Sequence, residues 1–120
     1  MYCPLGRFYI DPILPVENAV ISHGHADHAR NGHKKILCSY RSEKIIRHRV
    51  KFKSIQSLNF RESIRIGDIK LTMYPASHVL GAAQILLEAK GHKWLYTGDF
   101  RLAEDSSCDA FEPIKTDVLV

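Results

Sequence analysis

Cysteine is scarce in this 120-residue chain: Cys3, Cys38 and Cys108 lie far apart and form no C-x-x-C pair. An odd number of thiols at such spacing argues against a disulfide framework and fits a reducing, cytoplasmic setting. Long apolar runs are missing too. Nothing approaches the ~20 consecutive apolar residues that span a bilayer. The opening Met1-Tyr2-Cys3-Pro4-Leu5-Gly6-Arg7 lacks the apolar stretch of a secretory leader. No segment repeats and none is of low complexity, so neither an array nor a long linker organises the chain. Acidic residues are outnumbered, 13 against 17 basic, which leaves a net charge of +4. That mild excess favours a polyanionic partner without specifying one. The length allows one small domain with a modest core.

Histidine is what the chain does have. Ser22-His23-Gly24-His25-Ala26-Asp27-His28 reads H-x-H-x-D-H and follows Ala19-Val20-Ile21, a short apolar stretch that reads as a strand. A single loop histidine would read as solvated. Burying this many imidazoles with a carboxylate is costly unless something pairs them. Imidazole nitrogen and carboxylate oxygen suit zinc and related divalent ions. Residues two apart on an extended segment point the same way, so His23 and His25 can grip one ion. Asp27 and His28 follow where the chain must turn and can reach a second. Two ions about 3.5–4 Å apart stabilise both the attacking and the leaving oxygen of a displacement. Gly24 and Ala26 are expected to let the backbone pass close to the ions.

Phe8-Tyr9-Ile10 reads as a strand ended by Asp11-Pro12. Residues 26–31 read as a helical turn closed by Gly32. Lys35 to Cys38 reads as a strand, Ser39 as an N-cap, and 40–50 as a helix with Ile46 and Val50 on its apolar face. Strands follow at 55–58 and 62–66. Gly67-Asp68 then turns the chain into Ile69–Tyr74, which alternates with period two. Pro75 is expected to break that strand and leave Ala76-Ser77-His78 in a loop. Ala83 to Ala89 and Lys93 to Thr97 read as a further pair of strands around Lys90-Gly91-His92, with Gly98-Asp99 at their end. His23, His78 and Asp99 thus all fall just beyond strand ends, where loops carry chemistry on a rigid sheet. Thr116 to Val120 reads as the opening of a buried strand, as though the chain were cut inside an element.

Arg41, Lys44, Arg47, His48, Arg49, Lys51 and Lys53 crowd one stretch. Arg47, Arg49, Lys51 and Lys53 are candidates for phosphate contact, with a solvated helix face as the plainer reading. His33 reads as a solvated loop residue, and Trp94 and Tyr96 as core. Gly81-Ala82-Ala83 reads as tight packing near the site.

The H-x-H-x-D-H run, the lone His78 and the strand-end Asp99 resemble the metallo-β-lactamase superfamily. Tyr9-Ile10-Asp11-Pro12, the stretch Pro75–Gln84 and Tyr96-Thr97-Gly98-Asp99-Phe100 resemble its β-CASP nuclease branch. Within that branch they are most similar to the prokaryotic ligase-associated DNA exonucleases, often labelled mRNA 3′-end processing factors. The resemblance implies an α/β fold of αββα type. It also implies that residues 1–120 are the N-terminal part of such a domain, a mixed β-sheet with short helices, with the cap domain and C-terminal part following. It implies that His23, His25 and His78 hold one zinc ion, Asp27 and His28 a second, and that Asp99 bridges them. Asp11 would support the ligand loop by hydrogen bonds. The implied activity is hydrolysis of phosphodiester bonds by a hydroxide shared between the two ions. Asp27, His78 and Asp11 would be the residues on which catalysis depends, and DNA the favoured substrate. Association with a DNA ligase or helicase follows from the same resemblance. An RNA 3′-end processing nuclease, another hydrolase on the same fold acting on a thioester or lactam, and a metal-binding remnant without turnover stay open. The family's remaining metal histidine would lie after Val120, which leaves the second ion short of a ligand within this chain.

Overall fold

The computed structural model describes residues 1–102 and 109–120, so Cys108 lies outside the described residues. Strands β1 (Tyr2–Cys3), β2 (Phe8–Ile10), β3 (Asn18–Val20), β4 (His33–Ser39) and β5 (Phe52–Leu58) pair in that order into one sheet. Only β1 and β2 run antiparallel; the other pairings are parallel. Parallel neighbours need a crossover, and the β4–β5 crossover supplies the helix. A 3-10 turn, Tyr40–Ser42, leads into α1 (Glu43–Arg49). Ser39 is the expected cap, its Oγ accepting from the Ser42 amide at 3.2 Å. Ile46 and Val50 pack with Ala19, Ile21, Ile36 and Cys38 on the outer face of this sheet.

The second sheet holds β6 (Ser63–Ile66), β7 (Ile69–Pro75), β8 (Ala83–Ala89), β9 (His92–Tyr96) and β10 (Val118–Leu119), in the order β10-β9-β8-β7-β6. It is antiparallel except for β10, which runs parallel to β9. The β6–β7 hairpin turns at Gly67-Asp68 with Ile66 opposite Ile69. Gly67 sits at φ +58, and a side chain there would meet the Leu5 carbonyl oxygen at 2.5 Å. Pro75 does not break β7. It is the last paired residue, opposite Ala83, at a point where β6 has already ended, so its missing N–H is tolerated.

The two sheets face each other. Phe8, Ile10, Val20, Leu37 and Leu58 of the first meet Leu71, Met73, Ile85 and Leu87 of the second in one core. The alternation in β7 produces this directly: Ile69, Leu71 and Met73 point inward and Lys70 outward. On the far side of the second sheet, Thr72, Leu86 and Leu95 are also buried. There the chain returns in extended form. The Glu112 amide donates to the Pro75 carbonyl at 3.2 Å, and the Asp117 amide to the Lys93 carbonyl at 3.0 Å. β10 is a strand as expected, but not a buried one. Val118 and Leu119 are 45% and 67% exposed because β9 is their one strand neighbour among the described residues. No helix among the described residues is long and apolar enough to cross a membrane.

Candidate metal centre

Both sheets end at the same place. After β3 the chain is held straight to Ser22 by the Ile21 amide donating to Leu37 and by the Ala83 amide, from the opposite sheet, donating to the Ser22 carbonyl at 2.8 Å. It then leaves the sheet. The His28 and Ala29 amides both donate to the His25 carbonyl, at 3.0 and 2.7 Å, which closes one turn that does not continue as a helix. That turn carries Asp27 and His28 back towards His23. Gly24 was expected to clear room for ions. Its smallness serves packing against α1, because a Cβ there would lie 2.7 Å from Ile45 Cγ2. Ala26 is exposed.

The second sheet delivers His78 and Asp99. His78 sits in the β7–β8 connection, between Ser77 at φ +57 and Gly81 at φ +82. Gly81 cannot carry a side chain, since a Cβ would meet the Ser42 amide nitrogen at 2.5 Å. Ser39 Oγ donates to its carbonyl at 2.6 Å. The tight packing read in Gly81-Ala82-Ala83 is therefore real, and it ties the His78 loop to the start of the helical segment. Asp99 follows β9 through Gly98, at φ +58.

Asp99 Oδ2 is the point of convergence. It lies 3.6 Å from His23 Nε2, 3.5 Å from His28 Nε2 and 3.6 Å from His78 Nε2. His78 Nε2 is 3.2 Å from His25 Nδ1, and His28 Nε2 is 3.5 Å from Asp27 Oδ2. The ligand-type atoms fall into two overlapping groups that could each hold a metal ion: His23, His25, His78 and Asp99, and His23, Asp27 and His28. The donor set fits a divalent cation on one further observation. His23 is fully buried, yet its Nε2 has no hydrogen-bond partner. A buried, unpaired ring nitrogen is costly unless something coordinates it. Burial, and then the neighbouring His28, push the His23 imidazole down to about 4. It is therefore neutral at physiological pH, the form that binds metal.

Beneath this cluster lies Asp11, at φ +45 and 4% exposed. Its Oδ1 accepts from the Ser22 amide at 2.8 Å. Its Oδ2 accepts from Ser22 Oγ at 2.5 Å and Tyr96 Oη at 3.0 Å, and pairs with His28 Nδ1 at 2.8 Å. Ser22 Oγ in turn lies 3.0 Å from His23 Nδ1. Sequence reasoning named Asp11 but missed Ser22 and Tyr96 as members of the site. Tyr96 was read as core, and it does pack against the main core, but its hydroxyl reaches Asp11. Burial first, then Asp11, push the pKa of that hydroxyl well above the ordinary tyrosine range, so it stays a donor.

His33 is a correction. It is buried in β4, not solvated: its Nδ1 accepts from the Val16 amide at 3.2 Å, and burial lowers its pKa. The basic candidates divide. Arg47 pairs with Glu43 at 2.8 Å and lies over the Phe52 ring. Arg49 Nη1 donates to the Gly24 carbonyl at 3.3 Å, bracing the ligand loop. Lys51 and Lys53 are exposed and have no ion pair among the described residues. Cys3 and Cys38 are buried free thiols that belong to neither metal-type group.

Comparison with known proteins supplies the family. The family model described as the beta-lactamase superfamily domain matches residues 7–120. The chain belongs to the metallo-β-lactamase superfamily. Its relatives put it in that superfamily's β-CASP branch. A protein of Opitutus terrae named a probable DNA ligase is 36% identical over 91% of this chain and 11% of its own length. The cleavage and polyadenylation specificity factor subunit 3 of Dictyostelium discoideum is 43% identical over 55% of this chain and 9% of its own. This metallo-β-lactamase chain therefore spans about a tenth of the length of these curated relatives. A solved metallo-β-lactamase of Cronobacter sakazakii shares the fold, with a TM-score of 0.59 and 13% identity over 87% of this chain and 58% of its own.

Proposed function

We propose that this chain carries most of the metal centre of a zinc-dependent nuclease that hydrolyses phosphodiester bonds, with DNA the favoured substrate. The observation that carries the reading is the meeting of ligand atoms from both sheets around one oxygen of Asp99. In this reading His23 Nε2, His25 Nδ1 and His78 Nε2 would hold one zinc ion, Asp27 and His28 a second, and Asp99 would serve both. When bound, such a pair makes a nucleophile from water near neutral pH and offsets charge on the phosphate oxygens. The chain's own residues do the rest. Asp99 and Asp27 supply the negative charge that seats the cations, and Asp27, 70% exposed, faces the solvent from which the attacking water comes. Asp11 holds His28 and the ligand loop in place through the hydrogen bonds given above. Lys51 and Lys53, exposed and without a carboxylate partner among the described residues, are the best placed of the basic residues to meet a phosphate backbone.

The relative named a probable DNA ligase, similar across most of this chain, supports DNA and a functional association with ligation. The relative named a cleavage and polyadenylation specificity factor supports the RNA alternative. Buried free thiols support a reducing compartment. The test is Asp27→Ala and His78→Ala in the complete protein, assayed on end-labelled single-stranded DNA and RNA. Each substitution should abolish cleavage, and near-normal activity in either rejects the assignment. Metal analysis of the same preparations should find two zinc ions in the parent and fewer in both variants.

A further inference from the structure

Three hydrogen donors surround one oxygen of Asp11, and the geometry leaves a single way to distribute them. A carboxylate accepts hydrogen bonds and a serine hydroxyl has one hydrogen to give. Ser22 Oγ lies 2.5 Å from Asp11 Oδ2 and 3.0 Å from His23 Nδ1. Were the hydroxyl hydrogen turned towards His23, two acceptor oxygens would face each other at 2.5 Å with nothing between them. The hydrogen therefore lies on the Ser22–Asp11 line, and Ser22 Oγ must accept from His23 Nδ1–H. A neutral imidazole has one ring hydrogen, so Nε2 is left bare. That is the atom found buried, without a hydrogen-bond partner and aimed at Asp99. The same carboxylate oxygen takes the Nδ1 hydrogen of His28 directly, at 2.8 Å. In the neutral ring that leaves His28 Nε2 bare towards Asp27 and Asp99.

We propose that Ser22 is a positioning residue: it relays the hydrogen-bond demand of Asp11 to His23 and so fixes His23 as the Nδ1–H tautomer, while Asp11 fixes His28 the same way. One buried carboxylate thereby presents a bare ring nitrogen from each of two imidazoles to the metal centre before any cation arrives. Tyr96 supplies the third hydrogen and keeps that carboxylate oxygen from swinging towards the ligands. The value of presenting them to a cation rests on the metal reading above; the relay itself does not.

The test begins with the metal-free chain at pH 7, using long-range proton–nitrogen correlation of its histidine rings. His23 and His28 should each show a protonated Nδ1 and a bare Nε2. Ser22→Ala should convert His23 to a tautomer mixture and leave His28 unchanged, and Ser22→Thr, which keeps the hydroxyl, should restore the parent pattern at His23. A parent His23 protonated at Nε2 overturns the proposal before any variant is made, as does a Ser22→Ala protein whose His23 tautomer is unmoved. Zinc titration by calorimetry then reads the consequence. Loss of a residue that orients a ligand costs roughly 10–100-fold in metal affinity, so Ser22→Ala should weaken binding by that factor and Ser22→Thr by less than about threefold. Equal affinities in all three proteins overturn the presenting role. A parent that shows the tautomer pattern but binds no zinc upholds the relay and sinks the metal reading instead.

Discussion

At the scale of single residues, what the chemistry needed and what the sequence displayed are different things. The ligand-type residues of the 23–28 run stood out because their density in one short run has no packing explanation. His33 was misread for the opposite reason. Alone, between Gly32 and two lysines, it looks solvated, and only the parallel pairing of β4 beside β5 buries it. Ser22 and Tyr96 carry no signal of their own: each is an ordinary strand-end residue whose importance comes from what the fold sets beside it. Tyr96→Phe keeps the ring packing and removes one donor to Asp11. A single hydrogen bond of this kind is worth about 1 kcal/mol, so urea unfolding of the metal-free variant should show a loss of that size, with the native fold retained by circular dichroism.

Among the elements, the β6–β7 hairpin and the β8–β9 pair were readable from period-two alternation and turn glycines. The helix was readable from its cap and its apolar pair. Two features were not. β5 begins at Phe52 and not at the expected residue 55, because Phe52 and Ser54 are recruited by pairing with His33 and Lys35 of β4. The turn after His25 stops after one cycle, short of the expected 26–31, and the residues just before it are tied down, Gly24 against Ile45 of α1 and Ser22 to Ala83 of the opposite sheet. The loop carrying His78 depends on a glycine for two independent reasons, its left-handed φ and its contact with the Ser42 backbone. Gly81→Ala should therefore cost more than the conformational penalty alone, which is about 1–3 kcal/mol. A fall in melting temperature, with weakened zinc binding by a chain that still folds at low temperature, would show that the loop's anchorage places His78. A variant with parental stability would reject that account.

For the whole molecule, acid should act before base. His23 is held down to about 4 from an ordinary 6.5, and His33 is lowered too. Between those values the unfolded chain binds protons that the folded chain refuses, so folding stability falls as pH drops through that window. Each such proton contributes up to about 1.4 kcal/mol per pH unit. Calorimetric melting of the metal-free chain should decline from pH 6.5 to 4, whereas a flat profile would mean these imidazoles are not sequestered. At the alkaline end, Tyr96, raised by burial, and Cys38, raised to about 12, act the other way round, withdrawing stability once pH passes the ordinary values of the unfolded groups.

The bond from the Ala83 amide to the Ser22 carbonyl joins the two halves of the sandwich one residue before the buried imidazole. A cation gripping side chains from both halves would act as a clasp at that seam, and the halves could part there only by releasing it. At a zinc concentration about 100 times the dissociation constant, a clasp of this kind adds roughly 2.7 kcal/mol against opening. If exchange proceeds through that opening, the Ala83 amide should trade its hydrogen with solvent about a hundredfold more slowly once zinc is present. One backbone proton would then report occupancy of the centre without any assay of turnover.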